Sequence, residues 1–229
     1  MAAFAHAVLG QVYARVVSPE SHELRNYEAF SNNVYGEILP PFTSRLFRET
    51  GLTSARHVFV DLGSGVGNCT LQAALELGCE SWGCEIMEHA AELARRQRNE
   101  LAARARLFGV RLGRVRLLAT DFAESKAVAD VLKRADVVLV NNYVFDAELN
   151  GRLVNMFLDL RDGTRIVSLK SFVPPGHAIS RYNVESPVNM LAVEEREFYS
   201  RSVSWTDNPG RYFVSTVDRS RIQRFLDGA

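Results

Sequence analysis

An acid beside a glycine-rich turn is the part of this sequence best suited to hold a charged ligand. Apolar, β-favouring residues lead into Asp61, and glycines follow at positions 63, 65 and 67 before a helix-compatible segment. This order is typical of a strand, a tight turn and a helix whose first N–H groups face a ligand. A dinucleotide fingerprint would have its third glycine at position 68, where this chain has Asn68. The spacing instead favours S-adenosylmethionine (AdoMet), whose ammonium and sulfonium groups an acid can attract.

Acidic residues also end the next two strands of the pattern, and ligands bind at such strand ends in a doubly wound sheet. Glu85 lies 24 residues after Asp61, close to the interval expected for an acid that accepts both ribose hydroxyls. After the third strand, Asp121 could accept the adenine amino group while Phe122 stacks on the base. Asp121 could instead only cap the helix after it.

The fourth and fifth strand ends carry amides and a lysine. Asn141 and Asn142 favour a role beside the transferring methyl group, although such a pair also suits a turn with left-handed backbone. Lys170 is better explained as a solvated lysine than as a catalytic base. The isolated Trp205 fits a core position and a wall of a substrate channel equally well.

The elements that must position these residues alternate along the chain after residue 56. We predict strands at 57–61, 81–85, 114–119, 136–141 and 164–168, separated by helices at 68–78, 88–109, 124–134 and 146–161. This repetition predicts an α/β fold with a parallel, doubly wound sheet. Two last strands, 189–197 and 212–217, have no helix between them. They predict an antiparallel hairpin that closes a seven-stranded, Rossmann-like methyltransferase sheet.

The segment before the first strand has a different pattern. Helical spacing covers 7–17 and 37–49, and Pro40-Pro41 mark a helix start within the second stretch. The turn formers and aromatic residues between them predict a loop that covers the cofactor. We therefore expect residues 1–52 to form a small N-terminal helical cap and residues 53–229 the catalytic α/β domain.

The composition gives no overall attraction to nucleic acid or membrane, because 27 basic and 27 acidic residues cancel. No apolar run reaches the roughly 18 residues of a membrane span, and no targeting signal is visible. The three cysteines lack C-x-x-C spacing, which predicts reduced packing residues in an intracellular protein. The five scattered histidines make a metal site unexpected.

A local basic cluster runs through residues 95–116, with Glu100 as the offsetting acid. It predicts either a solvated helix face or a patch that contacts DNA or an acidic protein. Its members are Arg95, Arg96, Arg98, Arg104, Arg106, Arg111, Arg114 and Arg116.

Short motifs spread over nearly the whole chain support a family assignment. They are Y-E-A-F-S at 27–31, V-Y-G-E at 34–37, F-V-D-L-G-S-G-V-G-N at 59–68, G-C-E at 83–85, V-N-N at 140–142, I-V-S-L-K at 166–170 and V-S-W-T at 203–206. Many methyltransferases share the glycine motif, whereas V-Y-G-E, V-N-N and V-S-W-T together are more specific. In this combination and order the chain resembles the non-SET histone H3 lysine methyltransferases of the disruptor-of-telomeric-silencing family.

The resemblance implies a nuclear enzyme that methylates lysine-79 in the core of histone H3 on nucleosomes and releases S-adenosyl-L-homocysteine. It also implies roles in telomeric silencing and the DNA-damage response, and cross-talk with the H4 tail and ubiquitylated H2B. Pattern and resemblance together assign the cofactor to Tyr35, Gly36, Glu37, Asp61, Gly63, Ser64, Gly65, Asn68, Glu85, Asp121, Phe122 and Asn141. The resemblance assigns the lysine channel to Asn141, Phe145, Trp205 and Tyr212.

Methyl transfer to an amine requires a neutral nucleophile, and a free lysine has a pKa of about 10.4. A narrow aromatic channel lowers that pKa by desolvation, and Phe145, Trp205 and Tyr212 are the candidate walls. No acid or histidine stands out as a base, so we expect deprotonation toward solvent before closure. Asn141 is expected to position the amine or the methyl group.

The chain departs from the family pattern in two places. The family depends on a lysine-rich segment for nucleosome affinity, and this chain has only Lys126, Lys133 and Lys170. A trimmed core, a lost arm or substitution by the arginine cluster would each explain this. Tyr143 stands where phenylalanine is expected, which adds a hydroxyl near the channel.

Other functions remain as alternatives. The chain could methylate RNA or a small amine, although its fourth strand end lacks the order typical of nucleobase amino-methylases. A non-enzymatic AdoMet-binding scaffold and a nicotinamide oxidoreductase are the remaining alternatives, the latter disfavoured by Asn68.

Overall fold

A mixed sheet of seven strands forms the centre of the computed structural model, which describes residues 1–24 and 36–228. The strands are β1 (Val58–Leu62), β2 (Glu80–Glu85), β3 (Val115–Ala119), β4 (Val137–Val140), β5 (Arg165–Ser168), β6 (Leu191–Phe198) and β7 (Gly210–Val217). Their order is β3-β2-β1-β4-β5-β7-β6, with β1 to β5 parallel and β7 antiparallel to both of its neighbours. The predicted doubly wound sheet with a terminal antiparallel hairpin is therefore confirmed.

The helices that flank the sheet are α1 (Ala2–Val16), α2 (Ser21–Leu24), α3 (Pro40–Glu49), α4 (Asn68–Glu76), α5 (Glu88–Leu107), α6 (Lys126–Leu132), α7 (Ala147–Met156) and α8 (Ser220–Gly228). Helix α1 begins five residues before the predicted start, because the alanines that open the chain favour helix strongly. The prolines at 40 and 41 begin α3, as predicted. The long helix predicted at 146–161 ends at Met156 and continues as a 3-10 turn, Phe157–Asp159. Helix α8 was not predicted.

Each face of the sheet is covered, which explains why the central strands are apolar throughout. Val138 and Val140 of β4 pack toward Val128 of α6 and Leu153 of α7 on one face. On the other face, alternate residues of the same strands, with Leu139 among them, pack against the side chains of α3. All four residues of β4 are buried, as the continuous apolar run indicated.

The N-terminal helices share cores with the sheet domain. Phe42, Leu46 and Phe47 of α3 lie in one apolar cluster with Phe59 of β1. Helix α1 packs on α4 and α5 through a separate cluster that contains Val8 and Val12, among others. Helix α3 thus covers one face of β1 and β4, and α1 packs on the flanking helices, while the domain boundary at residue 52 stays a prediction.

The three cysteines are unpaired and buried, consistent with packing residues. Within residues 1–24 and 36–228, no helix combines the length and apolar character needed to cross a bilayer.

Candidate active site

The turn between β1 and α4 forms the floor of a cavity at the carboxyl ends of the strands. Gly63 and Gly67 adopt φ values of +81° and +83°, which favour glycine, and Gly67 precedes the first turn of α4. The cavity is lined by Gly36, Glu37, Ile38, Asp61, Gly63, Ser64, Gly65, Val66, Asn68, Cys69, Leu139 and Asn141. Most of the predicted cofactor residues are therefore neighbours in space. Tyr35 and the predicted covering loop lie outside the described residues.

Asp61 presents a buried carboxylate to this cavity. Its side chain is 4% exposed, and the hydrogen bond described for it comes from Thr70 Oγ1 at 3.4 Å. Burial raises the pKa of Asp61 to about 7; the Thr70 hydrogen bond opposes this rise, and the nearby Glu85 charge adds a smaller increase. A buried carboxylate with so little compensation is stabilised by a cationic ligand.

Glu85 ends β2 and is held by the backbone on both of its oxygens. Gly65 N–H donates to Oε2 and Met87 N–H donates to Oε1, each at 2.8 Å. Burial raises the pKa of Glu85, and the backbone hydrogen bonds oppose that rise. Each oxygen keeps a further lone pair, so the fixed carboxylate can still accept two hydroxyl groups. Glu85 lines a second cavity that shares Ser64 with the first.

Asp121 closes a turn before α6 and does not cap that helix, whose N-cap residue is Ser125. Its Oδ1 accepts the N–H of Ala123 at 2.8 Å, and its Oδ2 lies 3.4 Å from Nη2 of Arg152. The neighbouring Phe122 is buried in the core, with its ring 6.5 Å from that of Phe145. Neither Asp121 nor Phe122 is among the residues that line the two cavities. Their contact with adenine stays a prediction.

Asn141 connects the cavity to a group of aromatic side chains. Its Nδ2 donates to the carbonyl oxygen of Gly36 at 3.1 Å. Gly36 lies flat against the half-buried Trp205, and an added Cβ would come within 2.6 Å of Trp205 Cε3. Phe145 approaches Gly63 from the other side, at 3.6 Å from the place of an added Cβ. Of the four predicted channel residues, Asn141 thus lines the cavity, and Trp205 and Phe145 contact glycines that line it.

The segment around Gly36 is joined to the Trp205 segment by a short antiparallel bridge. Ile38 pairs with Val203, Ser204 N–H donates to Glu37 O at 2.9 Å, and the Ser204 hydroxyl accepts Glu37 N–H at 2.8 Å. Sequence reasoning missed this contact, since the two motifs lie 167 residues apart. The bridge holds the aromatic wall against the edge of the cavity.

Tyr212 differs from its predicted position as a channel wall. It is fully buried, packs edge-on against Phe42 with 5.2 Å between ring centroids, and donates its hydroxyl to Glu49. Burial and the Glu49 contact raise the pKa of Tyr212 to about 12. Glu49 also accepts hydrogen bonds from Arg45 and Arg196. Tyr212 is not among the cavity-lining residues, and its described contacts join β7 to α3.

The two asparagines at the end of β4 have different environments. Asn142 is fully buried, and its Oδ1 accepts the N–H groups of Leu169 and Lys170 at 3.0 and 2.8 Å. Its Nδ2 donates to Lys170 O at 3.1 Å and to Asn150 Oδ1 at 2.9 Å. Asn142 therefore fastens the end of β5 to the end of β4, whereas Asn141 faces the cavity.

The arginine cluster is partly neutralised by acids, of which Glu20 is remote in sequence and Glu92 and Glu100 lie on the same helix. Arg96 pairs with Glu20 at 2.6 Å, Arg104 with Glu100 at 2.9 Å, and Arg95 with Glu92. Arg106 and Arg111 are exposed, and no acidic partner for either lies within the described part of the chain. The patch available to a polyanion is thus smaller than the sequence indicated.

Glu20 also takes part in a grouping that the histidine spacing did not indicate. Its carboxylate, that of Glu23 and the His89 ring lie close enough to offer ligands to one ion.

The order of the strands, the glycine turn after β1 and the buried Asp61 are together typical of Rossmann-like methyltransferases, and the chain has this class of fold. Two solved structures share this fold at low sequence identity. A tRNA (m1A58) methyltransferase from Aquifex aeolicus has a TM-score of 0.53 at 15% identity, covering 84% of this chain and 72% of that one. An RNA methyltransferase from Salinibacter ruber, solved with S-adenosyl-L-homocysteine, has a TM-score of 0.50 at 20% identity, and the match covers 78% of this chain and 92% of that one.

The chain belongs to the family described as "Histone methylation protein DOT1", which matches residues 13–217. A histone-lysine N-methyltransferase from Yarrowia lipolytica, H3 lysine-79 specific, is 60% identical over 222 residues, 97% of this chain and 45% of that protein. The protein of the same description from Emericella nidulans is 56% identical over 220 residues, 96% of this chain and 44% of that protein. The chain spans about half the length of the curated relatives it matches. The family resemblance drawn from the short motifs is confirmed.

Proposed function

We propose that this chain is the catalytic core of an AdoMet-dependent enzyme that methylates lysine-79 of histone H3 on nucleosomes. One observation carries the proposal: Asn141 and Gly36 line the Asp61 cavity, and Gly36 also packs against Trp205. The place for a cationic ligand and the aromatic wall for a substrate side chain therefore meet at one point. The relatives named above act on H3 lysine-79, which supports the same substrate here.

The cavity residues fit AdoMet by their chemistry. Asp61 is a buried acid that a ligand ammonium would neutralise, and the glycine turn offers N–H groups to the ligand carboxylate. Glu85 is fixed by two backbone N–H groups in an orientation that leaves acceptors for the ribose hydroxyls. We assign adenine to Asp121 and Phe122, with the turn hydrogen bond from Ala123 N–H to Asp121 kept. When bound, the cofactor supplies an electrophilic methyl group on a sulfonium.

The protein contributes alignment and a dry path for the amine. The rings of Trp205 and Phe145 exclude water and disfavour an ammonium, so the substrate lysine enters in its neutral form. Asn141 is held by its bond to Gly36 O, and its Oδ1 can accept an N–H of the incoming amine. The acids that line the cavity, Asp61 and Glu37, are placed for the cofactor. The proton therefore leaves to solvent before the amine is enclosed.

The proposed substrate places the protein in the nucleus and on chromatin. Regulation by the H4 tail and by ubiquitylated H2B belongs to the same proposal, through the family relationship. The exposed Arg106 and Arg111 are the part of the arginine cluster proposed to contact nucleosomal DNA.

The first test is a comparison of substrates. Labelled AdoMet is offered with nucleosomes, free histones, RNA and small amines, and H3 is analysed by mass spectrometry. We expect methylation of nucleosomal H3 at lysine-79, and Asn141→Ala should reduce turnover with little loss of AdoMet affinity. Gly63→Arg should abolish AdoMet binding, because a φ of +81° strains any side chain and an arginine at this cavity-lining position would compete with the ligand for space. Preferential methylation of RNA or a small amine would contradict the proposal, and AdoMet binding without turnover would favour a scaffold.

A second test addresses the arginines. The double variant Arg106→Gln/Arg111→Gln should weaken nucleosome binding and lower the slope of log affinity against log salt by roughly 1 to 2. The matched control is Arg95→Gln/Arg96→Gln, in which both residues are already paired with acids. Equal effects of the two double variants would leave the patch without a specific role.

A further inference from the structure

We propose that Lys170 supplies a positive charge at the entrance of the substrate channel and thereby favours the neutral, nucleophilic form of the incoming lysine. The inference rests on the proposed function, since it concerns the same reaction. Lys170 would act through the electrostatic field, neither as a base nor as a ligand of the cofactor.

The position of Lys170 follows from a row of aromatic contacts that leads away from the cavity. Trp205 packs on Gly36 at the cavity edge, and the Tyr143 ring lies 5.6 Å from the Trp205 ring at an interplanar angle of 31°. The Nζ atom of Lys170 lies 5.8 Å from the centroid of the Tyr143 ring. Tyr143 is 52% exposed and Lys170 is exposed, so both face solvent at the outer end of this aromatic row, which we take as the entrance.

The backbone under this charge is firmly held. Strands β4 and β5 pair with Val140 opposite Ser168, so Asn142 and Lys170 both follow the ends of neighbouring parallel strands. Asn142 is fully buried and bonds to both the N–H and the C=O of Lys170. The side chain of Lys170 is therefore directed from a rigid anchor, as an electrostatic role requires.

The chain has three lysines, and the other two stand elsewhere. Lys126 begins α6, and Lys133 pairs with Asp130 at 3.5 Å. Lys170 is thus the lysine that the fold places beside the aromatic row.

A like charge disfavours the protonated form of a nearby amine. For a separation of about 7 Å between Lys170 Nζ and the bound amine, an effective dielectric constant between about 25 and 70 shifts the pKa of the substrate amine by about 0.5 to 1.5 units. The acids on the neighbouring elements act in the opposite sense. Asp61, Glu37 and Glu85 face the cavities, and Asp146 caps α7 close to Tyr143. Lys170 offsets this negative field where the substrate ammonium must lose its proton.

The experiment compares single-turnover methylation of recombinant nucleosomes from about pH 7 to pH 9, with enzyme and AdoMet saturating. Under these conditions the rate follows the ionisation of the bound amine. Lys170→Met should move the rising limb of the rate to higher pH by about 0.5 to 1.5 units, a loss of about 3- to 30-fold near neutral pH that shrinks as the pH rises. Lys170→Arg keeps the charge and should keep the limb where it is in the wild type.

A uniform loss of rate at every pH, or an unmoved limb in Lys170→Met, would overturn the inference, since either result leaves Lys170 without an electrostatic effect on the substrate amine. Tyr143→Phe is a further control, because it keeps the ring under Lys170 and should not move the limb. The failures are distinguishable. A wild-type protein that leaves nucleosomal H3 unmethylated refutes the proposed function and this inference together. An active wild type whose rate rises over the same pH range as that of Lys170→Met refutes the inference alone.

Discussion

Acidification from about pH 7.5 to pH 6 should weaken the binding of S-adenosyl-L-homocysteine, because Asp61 must be ionised to attract the ligand ammonium. Burial and the Glu85 charge raise the pKa of Asp61 from the ordinary 3.8 to about 7. In the ligand-free protein at pH 6 the carboxyl group is therefore mostly protonated. A cationic ligand favours the ionised form, so binding at that pH must release the proton.

The size of the effect follows from the titration. With a pKa of about 7, roughly one-eleventh of the Asp61 carboxyl groups are ionised at pH 6 and about three-quarters at pH 7.5. Affinity should then fall about eight-fold across this range, which corresponds to about 1.2 kcal/mol. The range ends at about pH 7.5 because an α-amino group begins to lose its own proton near 7.7 to 8.0.

Isothermal titration calorimetry measures both quantities. Titrations at pH 6 in two buffers with different ionisation enthalpies should give a release of about 0.9 proton for each ligand bound. The matched control is Asp61→Asn, which keeps the size of the side chain and removes the titration. An affinity of the wild type that does not change with pH, or an equal pH dependence in Asp61→Asn, would refute the role given to this acid.

The same structure makes three further predictions. Because the pKa of Asp61 is raised, the cofactor-free protein should lose stability as the pH rises from about 4 to 7. In urea unfolding, the free energy of unfolding of Asp61→Asn should therefore gain about 2 to 3 kcal/mol relative to the wild type between pH 5 and pH 8. A difference between the two proteins that stays constant with pH would contradict this. Asn142→Ala should lower the free energy of unfolding by about 2 to 4 kcal/mol, because it leaves buried backbone groups without hydrogen-bond partners, whereas Asn141→Ala should lower it by less than about 1 kcal/mol. Tyr212→Phe and Glu49→Gln should be non-additive by about 1 to 2 kcal/mol in a double-mutant cycle, and additive losses would show that the hydroxyl and carboxylate do not act together.

The sheet could be predicted from the sequence because its signals are local. A strand buried on both faces reads as an apolar run, and β4 has this form in all four positions. Ligand-facing residues follow such runs directly, so Asp61 and Glu85 could be placed at strand ends before any contact was known. The α8 helix was missed although Ile222, Phe225 and Leu226 recur at helical spacing, because the pattern spans only nine residues and none of them is buried.

The site could be predicted only where one strand end decides the position of the side chain. Asn141 and Asn142 are adjacent and alike, yet consecutive residues point to opposite sides, and one meets the cavity while the other meets β5. Tyr212 was expected in the channel because the family resemblance assigns it there. Its hydroxyl is instead donated to Glu49, which lies 163 residues earlier in the chain. Pairing of this kind depends on how helices pack, and no local pattern contains it.

The contact between residues 36–39 and 202–205 gives a physical reason why two distant motifs accompany each other in this chain. Trp205 can lie against the cavity edge only if residue 36 has no side chain, since a Cβ there would come within 2.6 Å of the ring. The Ser204 hydroxyl accepts the Glu37 N–H, and Asn141 bonds the Gly36 carbonyl, so both sides of the glycine are fixed. A larger residue at position 36 would push the tryptophan outward and loosen Glu37 and Asn141 at the same time. The glycine of one motif and the tryptophan of the other therefore form a single surface, through which the cofactor cavity and the aromatic channel keep their relative positions.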